Sequence, residues 1–280
     1  MSLKNKLQKG HCILAPGIFH GLSARVADAM GFSALYMTGY GVSASLLGKP
    51  DAGYLTATHM ADRVRTICSV TETPLIADAD TGFGGLINVQ DAVRAYESGG
   101  AAAIQLEDQQ FPKRCGHTKN RTVIPLKDAV AKIKMAVQSR QSKEFFIVAR
   151  TDARTSLGFD EALRRGEAFV NAGADILFIE SPESIEEMEK IGQTFSDTWL
   201  LANMVPGGRT PILPAKTLAD LGFHIAIHPV SGLMAAAASY QKIYSQLEDS
   251  TTLKNSTMPF AELNKVMGFE AIWAMDEDKL

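Results

Sequence analysis

A TIM-type (β/α)8 barrel followed by a C-terminal helical segment is the fold this sequence predicts, and three observations carry the prediction. Short apolar runs alternate with amphipathic helical patterns about eight times over ~250 residues. The runs are apolar throughout, as expected of parallel strands buried on both faces. Glycines follow several helical patterns, at Gly31, Gly99 and Gly100, Gly173 and Gly222, where a helix stop is expected. A doubly wound open sheet shares this alternation and is the alternative.

Taken in order, strands are expected at Cys12–Ala15, Ala34–Thr38, Leu75–Ala79, Ala102–Leu106, Phe145–Ala149, Ile176–Ile179, Leu200–Asn203 and His224–Ile227. Each is a short apolar run, too short for a buried helix. The helical patterns lie at Leu22–Met30, Thr58–Val70, Asn88–Ser98, Lys127–Arg140, Phe159–Asn171, Ser184–Thr194, Pro214–Leu221 and Ser231–Leu247. No proline-rich or charged linker divides the chain, so residues 1–280 read as one domain. Its barrel would span about 10–247, and a helical tail about 258–280, set apart by the polar stretch Asp249–Pro259. The tail pattern Phe260–Met275 exceeds what a barrel needs, and its apolar content predicts packing on a neighbour, another subunit included.

The 280 residues are 46% hydrophobic and 21% charged with a net charge of -3, which suits a globular protein and offers no basic surface for nucleic acid. No apolar stretch approaches the ~20 residues of a membrane span. Met1–Lys6 is followed by no apolar signal core, and three cysteines, Cys12, Cys68 and Cys115, are an odd and sparse set. Both point to a cytoplasmic protein with reduced thiols.

Four of the runs end in acids: Leu75 to Asp80, Ile104 to Asp108, Phe146 to Asp152 and Ile176 to Glu180. A carboxylate is costly to bury inside such a run, so it belongs at the strand end, where water, metal or substrate reaches it. In a barrel the C-terminal strand ends carry the active site. This rule selects Pro16, Gly17, Thr38, Gly39, Tyr40, Asp78, Asp80, Glu107, Asp108, Arg150, Asp152, Glu180, Asn203 and His228. Oxygen-rich clusters without paired histidines or thiolates suit Mg²⁺ or Mn²⁺, although some of these acids could simply cap the following helices. Asp78 and Asp80 alternate and, on a continuing strand, would point the same way.

The loop after Glu107 and Asp108 is long against a median of about 4–6 residues. It contains Lys113, Arg114, Cys115, Gly116 and His117. A thiol between cations and a histidine is tunable, and a glycine lets the backbone approach a ligand, so this loop reads as a lid. Thr81–Gly85 reads as a flexible turn beside the acids, since it lacks the lysine and spacing of a P-loop. Arg150 needs an anionic partner, either Glu180 or Asp152 or a substrate carboxylate. Cys12 and Cys68 read as core fillers.

The cysteine loop, together with Asp78–Gly84, Thr38–Gly41, Leu47–Asp51, Glu107–Gln109, Ala149–Asp152 and Ala202–Met204, resembles the isocitrate lyase/phosphoenolpyruvate mutase superfamily over roughly residues 10–245. The loop is similar to that of its carbon–carbon lyase branch. The resemblance implies a Mg²⁺-dependent barrel, usually a homotetramer that exchanges a C-terminal helix between subunits. It implies that Asp78 and Asp80 hold Mg²⁺ with Asp51 and Glu107 helping through water. Thr38, Gly39 and Tyr40 would bind the carboxylate of an α-oxyacid, and Arg150 and Asn203 oxygens at the cleavage site. Cys115 would be the acid of the gating loop, supported by His117 and Glu180, with Gly116 beside the substrate.

Departures narrow the implied activity. Methylisocitrate lyases carry an arginine for the third carboxylate where this chain has Met234, and oxaloacetate hydrolases typically carry a serine where it has Pro229. Pro206 stands where a glutamate is common in the family. What the resemblance then implies is cleavage of 2,3-dimethylmalate or another 2-alkylmalate to an α-keto acid and a carboxylate. The alternatives are cleavage of 2-methylisocitrate, hydrolysis or decarboxylation of oxaloacetate, and a non-catalytic carboxylate-binding paralogue. Tyr36, Tyr40 and Glu180 remain open as the general base.

Overall fold

Eight apolar runs buried on both faces close on themselves as a parallel barrel. The computed structural model describes residues 2–116, 121–248, 253 and 257–277. Its strands are β1 (Ile13–Ile18), β2 (Leu35–Met37), β3 (Leu75–Asp78), β4 (Ala103–Glu107), β5 (Phe146–Thr151), β6 (Ile176–Ile179), β7 (Trp199–Asn203) and β8 (Ile225–His228). Each pairs in parallel with the next, and β8 closes on β1 through Ile13 with Ile225 up to Pro16 with His228. The open sheet is thereby ruled out. Every expected strand and barrel helix is present, with ends that differ by a few residues.

Two apolar layers hold the barrel. Alternation sends one set of side chains inward, where Ile76, Ala103, Val148, Ile176, Phe178, Leu201 and Ile225 fill the lumen. Leu3 and Leu7, from a 3-10 turn at Leu3–Lys6, plug its lower end. The other set, including Leu75, Ala77, Ile104, Ile147 and Leu177, packs under the helices. Close helix contacts set some positions: a Cβ at Gly192 would sit 1.8 Å from the Leu221 carbonyl oxygen, so only glycine fits there.

Three features escape the sequence pattern. Short helices Gly39–Val42 and Ala153–Leu157, and a π-helical turn at Ser43–Leu47, occupy strand-end loops. The helix from Ser231 ends at Tyr244 rather than Leu247. The tail is not one helix but two, Phe260–Met267 and Phe269–Glu277, broken where Gly268 turns left-handed at φ +87. Neither Ser231–Tyr244 nor Phe260–Met267 has a buried residue. No helix among the described residues is long and apolar enough to cross a membrane.

Candidate active site

A cavity of about 400 Å³ opens at the C-terminal ends of the strands. One half is charged, built from Asp51, Asp78, Glu107, Lys113, Arg150 and Glu180. The other is apolar, with Val205, Pro229, Val230, Leu233, Met234 and Ala237. Thr38, Tyr40, Cys115, Gly116 and Asn203 also line it.

Asp78 is the last residue of β3, and Asp80 follows on a turn at φ +49. The pair therefore converges through a tight turn, not through a continuing strand. The turn is closed by the Asp80 N–H, which donates to Asp78 Oδ1 at 3.0 Å. Asp78 Oδ2 accepts from the Gly39 N–H at 3.2 Å. A Cβ on Gly39 would lie 2.8 Å from that oxygen and 3.2 Å from Asp80 Oδ1, so glycine is what lets both carboxylates approach this backbone. Asp78 faces the cavity. Asp80 turns toward Lys113, whose ammonium lies 2.6 Å from Asp80 Oδ1 and 2.5 Å from Asp51 Oδ1. Burial, with Asp78 and Asp51 nearby, pushes Asp80 up to about 7 despite Lys113. Burial also holds Glu107 well above the carboxylate range, against the pull of Arg150.

Arg150 leaves β5 fully engaged. It donates to Asp152 through Nε at 2.8 Å and Nη2 at 2.9 Å, and its Nη2 lies 3.2 Å from Glu180 Oε2. Burial opposes its charge, but Asp152, Glu107 and Glu180 outweigh that and keep it firmly cationic. Of the two partners left open from sequence, the arginine takes both and still lines the cavity. The loop lies down on this cluster. A Cβ on Gly116 would fall 2.5 Å from Arg150 Nη2 and 2.7 Å from Glu180 Oε2, and the Cys115 N–H donates to the Asp51 carbonyl at 3.2 Å. Asn203 Nδ2 donates to Glu180 Oε2 at 3.1 Å.

The other rim acids turn away from the cavity. Asp152 pairs with buried Arg121, and Asp108 accepts from Arg165 at 2.9 Å and from Thr151 at 2.7 Å. Burial beside Asp152 raises Asp108 to about 6. Asp108 ties the end of β4 to the helix Phe159–Asn171 through Arg165, and Asp152 ties the end of β5 to the loop residue Arg121 and holds Arg150. His228, half-buried at the end of β8, has its pKa lowered by burial. Cys12 is buried as expected and Cys68 is partly so. His117 lies outside the described residues.

Asp51, Asp78, Asp80, Glu107 and Glu180 outnumber Lys113 and Arg150 here, and Glu107 Oε1 is buried with no hydrogen-bond partner among the described residues. Yet no three acids, histidines or cysteines among the described residues converge closely enough to enclose an ion. Surplus charge, hard oxygens and few direct ligands fit Mg²⁺ or Mn²⁺ that keeps waters and gains substrate oxygens. They do not fit a closed structural site.

In the sequence Lys113 is only a cation near the Cys115 thiol, and Gln105 has no role. Lys113 stood inside a recognised motif, but its reach back to Asp51 and Asp80 is a property of the folded loop. Gln105, a polar residue inside the apolar run of β4, carried a visible signal.

The model of the phosphoenolpyruvate phosphomutase family matches residues 3–248. The 2,3-dimethylmalate lyase of Eubacterium barkeri is 47% identical over 273 residues, 96% of this chain and 94% of that protein. A crystal structure of a 2,3-dimethylmalate lyase superposes with a TM-score of 0.91 at 36% identity, covering 99% of this chain and 92% of the other. A phosphonopyruvate hydrolase solved with oxalate and Mg²⁺ superposes with a TM-score of 0.87 at 28% identity, covering 99% of each chain.

Proposed function

Because the chain belongs to the phosphoenolpyruvate phosphomutase family, we propose that it is a divalent-metal-dependent carbon–carbon lyase cleaving 2,3-dimethylmalate or another 2-alkylmalate. The observation that carries this reading is the divided cavity. Its charged half suits the oxygens of a 2-hydroxy dicarboxylate, and its apolar half, Met234 included, suits alkyl branches. A thioether cannot pair with a third carboxylate.

A bound Mg²⁺ or Mn²⁺ would supply Lewis acidity that stabilises negative charge on substrate oxygens. Asp78 and Asp80 would hold it, with Asp51 and Glu107 acting through water. Thr38, Gly39 and Tyr40 bind the carboxylate. A base takes the hydroxyl proton, the C2–C3 bond breaks, an α-keto acid forms, and the electron pair passes to the departing carboxylate fragment. Arg150 and Asn203 stabilise negative charge on oxygen as it develops. Cys115, supported by His117 and Glu180, delivers a proton to the carbanion carbon. Tyr36 is a poor base here: its hydroxyl already donates to Gln105 at 3.0 Å, and burial pushes its pKa further up. Tyr40 and Glu180 remain. The uncovered apolar faces of Ser231–Tyr244 and the tail support an oligomer, with a homotetramer exchanging tails as the proposed assembly.

A substrate panel tests the reading. With Mg²⁺, keto-acid release should be fastest with 2,3-dimethylmalate or a close 2-alkylmalate. 2-Methylisocitrate should be slower by ~30- to 1000-fold in kcat/KM, the worth of one charge-assisted bidentate contact. Met234→Arg should narrow that gap. Efficient cleavage of 2-methylisocitrate or oxaloacetate by the unaltered enzyme overturns the assignment.

A further inference from the structure

Gln105 is fully buried inside the barrel, on the inward face of β4 two residues after Ala103. Val148 stands beside it on β5, and a leucine would fill the same space without the cost of desolvating an amide. The structure shows what the amide does instead. Its Nε2 donates to Asp78 Oδ1 at 3.3 Å, and its Oε1 accepts from the Tyr36 hydroxyl at 3.0 Å.

The directions of these bonds are forced. Asp78 already takes the Asp80 N–H on Oδ1 and the Gly39 N–H on Oδ2, so both oxygens act as acceptors. The amide must therefore present its NH₂ to Asp78, which leaves Oε1 to be met by a donor, and the Tyr36 O–H is that donor. The backbone of Asp78 is tied as well: the Tyr96 hydroxyl donates to its carbonyl at 2.9 Å. Oδ1 is thus locked by two donors, and Oδ2 is the oxygen left toward Gly39 and the cavity.

We propose that Gln105 is a positioning residue for the metal site, one that holds Asp78 in a single orientation and is itself held by Tyr36. The inference rests on the reading above that Asp78 holds the divalent cation. It adds that cation affinity depends on an uncharged Tyr36–Gln105 pair buried beneath Asp78.

The test uses the full-length protein and Mn²⁺, with free Mn²⁺ followed by electron paramagnetic resonance in the presence of saturating oxalate. Gln105→Leu should weaken Mn²⁺ binding by roughly 10- to 100-fold, as loss of a partner behind a metal ligand does. Tyr36→Phe, which removes one oxygen and leaves the amide unanchored, should weaken it by a smaller factor. The double variant should be no worse than Gln105→Leu alone, because the tyrosine acts only through the amide. A filler role would leave Mn²⁺ affinity where it was in Gln105→Leu, with the melting temperature unchanged or raised, and unchanged affinity overturns the proposal. If Gln105→Leu does not fold, unchanged affinity in Tyr36→Phe overturns it. Failure of the unaltered protein to bind Mn²⁺ overturns the metal reading and this inference together. Normal binding by the unaltered protein with unaffected variants overturns this inference alone.

Discussion

The two ends of this barrel are built from the same strands and treat buried polarity in opposite ways. At the lower end Leu3 and Leu7 plug the lumen, and a buried histidine there is held as an acceptor: His224 accepts the Leu200 N–H on Nδ1 at 3.2 Å and packs edge-on against Trp199. At the upper end carboxylates crowd a cavity, with Glu107 Oε1 lacking a hydrogen-bond partner among the described residues and Asp80 raised to about 7. Among the described residues the non-glycine positions with positive φ, Asp80, Phe83 and Ser181, follow strand ends on this rim. The lower end is arranged to remain folded. The upper end carries charge that folding does not need, which is how a site that waits for a cation and an anion should look.

The largest difference between the ends should come from the acids. Chelation should abolish keto-acid release, with Mg²⁺ or Mn²⁺ restoring it. Asp78→Asn, which keeps the shape of the side chain, should lower kcat/KM by roughly 10³-fold or more. Its melting temperature should stay within a few degrees of the unaltered value, because a like-charged neighbour is lost. Full activity after exhaustive chelation, or collapse of the fold in Asp78→Asn, would erase the contrast between the ends.

Cys115→Ser comes next. A serine hydroxyl is a far weaker acid than a thiol, so kcat should fall by ~10²- to 10⁴-fold. Dicarboxylate binding, measured by calorimetry, should persist, since Gly116 and Arg150 still make their contact. A near-normal kcat would leave the loop a purely steric role.

How much of this was legible in the sequence follows the same division. Strands β1 to β8 were visible because buried parallel strands write themselves as apolar runs, and the barrel follows from their repetition. Of the residues gathered in the cavity, Asp78, Glu107 and Glu180 were visible as acids ending those runs, and Asp51 only through the resemblance. Their division of labour was not. Asp108 and Asp152 look like Asp78 and Glu107 in sequence, yet Arg165 and Arg121 reach them from other segments and turn them into internal ties. Lys113 likewise acquires its partners only when its loop folds back. Short helices such as Ala153–Leu157 have too few residues to show a period. The expected tail helix was split by one glycine at φ +87.

The lower end should answer to stability alone. Leu3→Ala removes a fully buried side chain from the plug and should cost about 2–4 kcal/mol of unfolding free energy in urea. The kcat of the folded fraction should be unchanged, since the plug lies at the opposite end from the cavity. A drop in kcat with no loss of stability would mean that the ends are coupled through the lumen.

The smallest effect sharpens the comparison by its pH dependence. Burial, with Lys9 adding a little, lowers His224 from 6.5 to about 4. In the fold its Nδ1 accepts a hydrogen bond, so protonation would remove that bond and bury a charge. In the unfolded chain the same imidazole takes a proton below about 6.5. The lowered folded pKa therefore contributes stability that is complete above pH 6.5 and fades as pH falls toward about 4. At pH 5 the loss should be about 1–2 kcal/mol. His224→Asn, whose Oδ1 can still accept the Leu200 N–H, is expected to be less stable at pH 8. Its melting temperature should nonetheless fall less steeply than that of the unaltered protein between pH 6.5 and 4. Parallel pH profiles for the two would show that the lower end carries no titrating group, and would leave acid sensitivity to the carboxylates of the upper end.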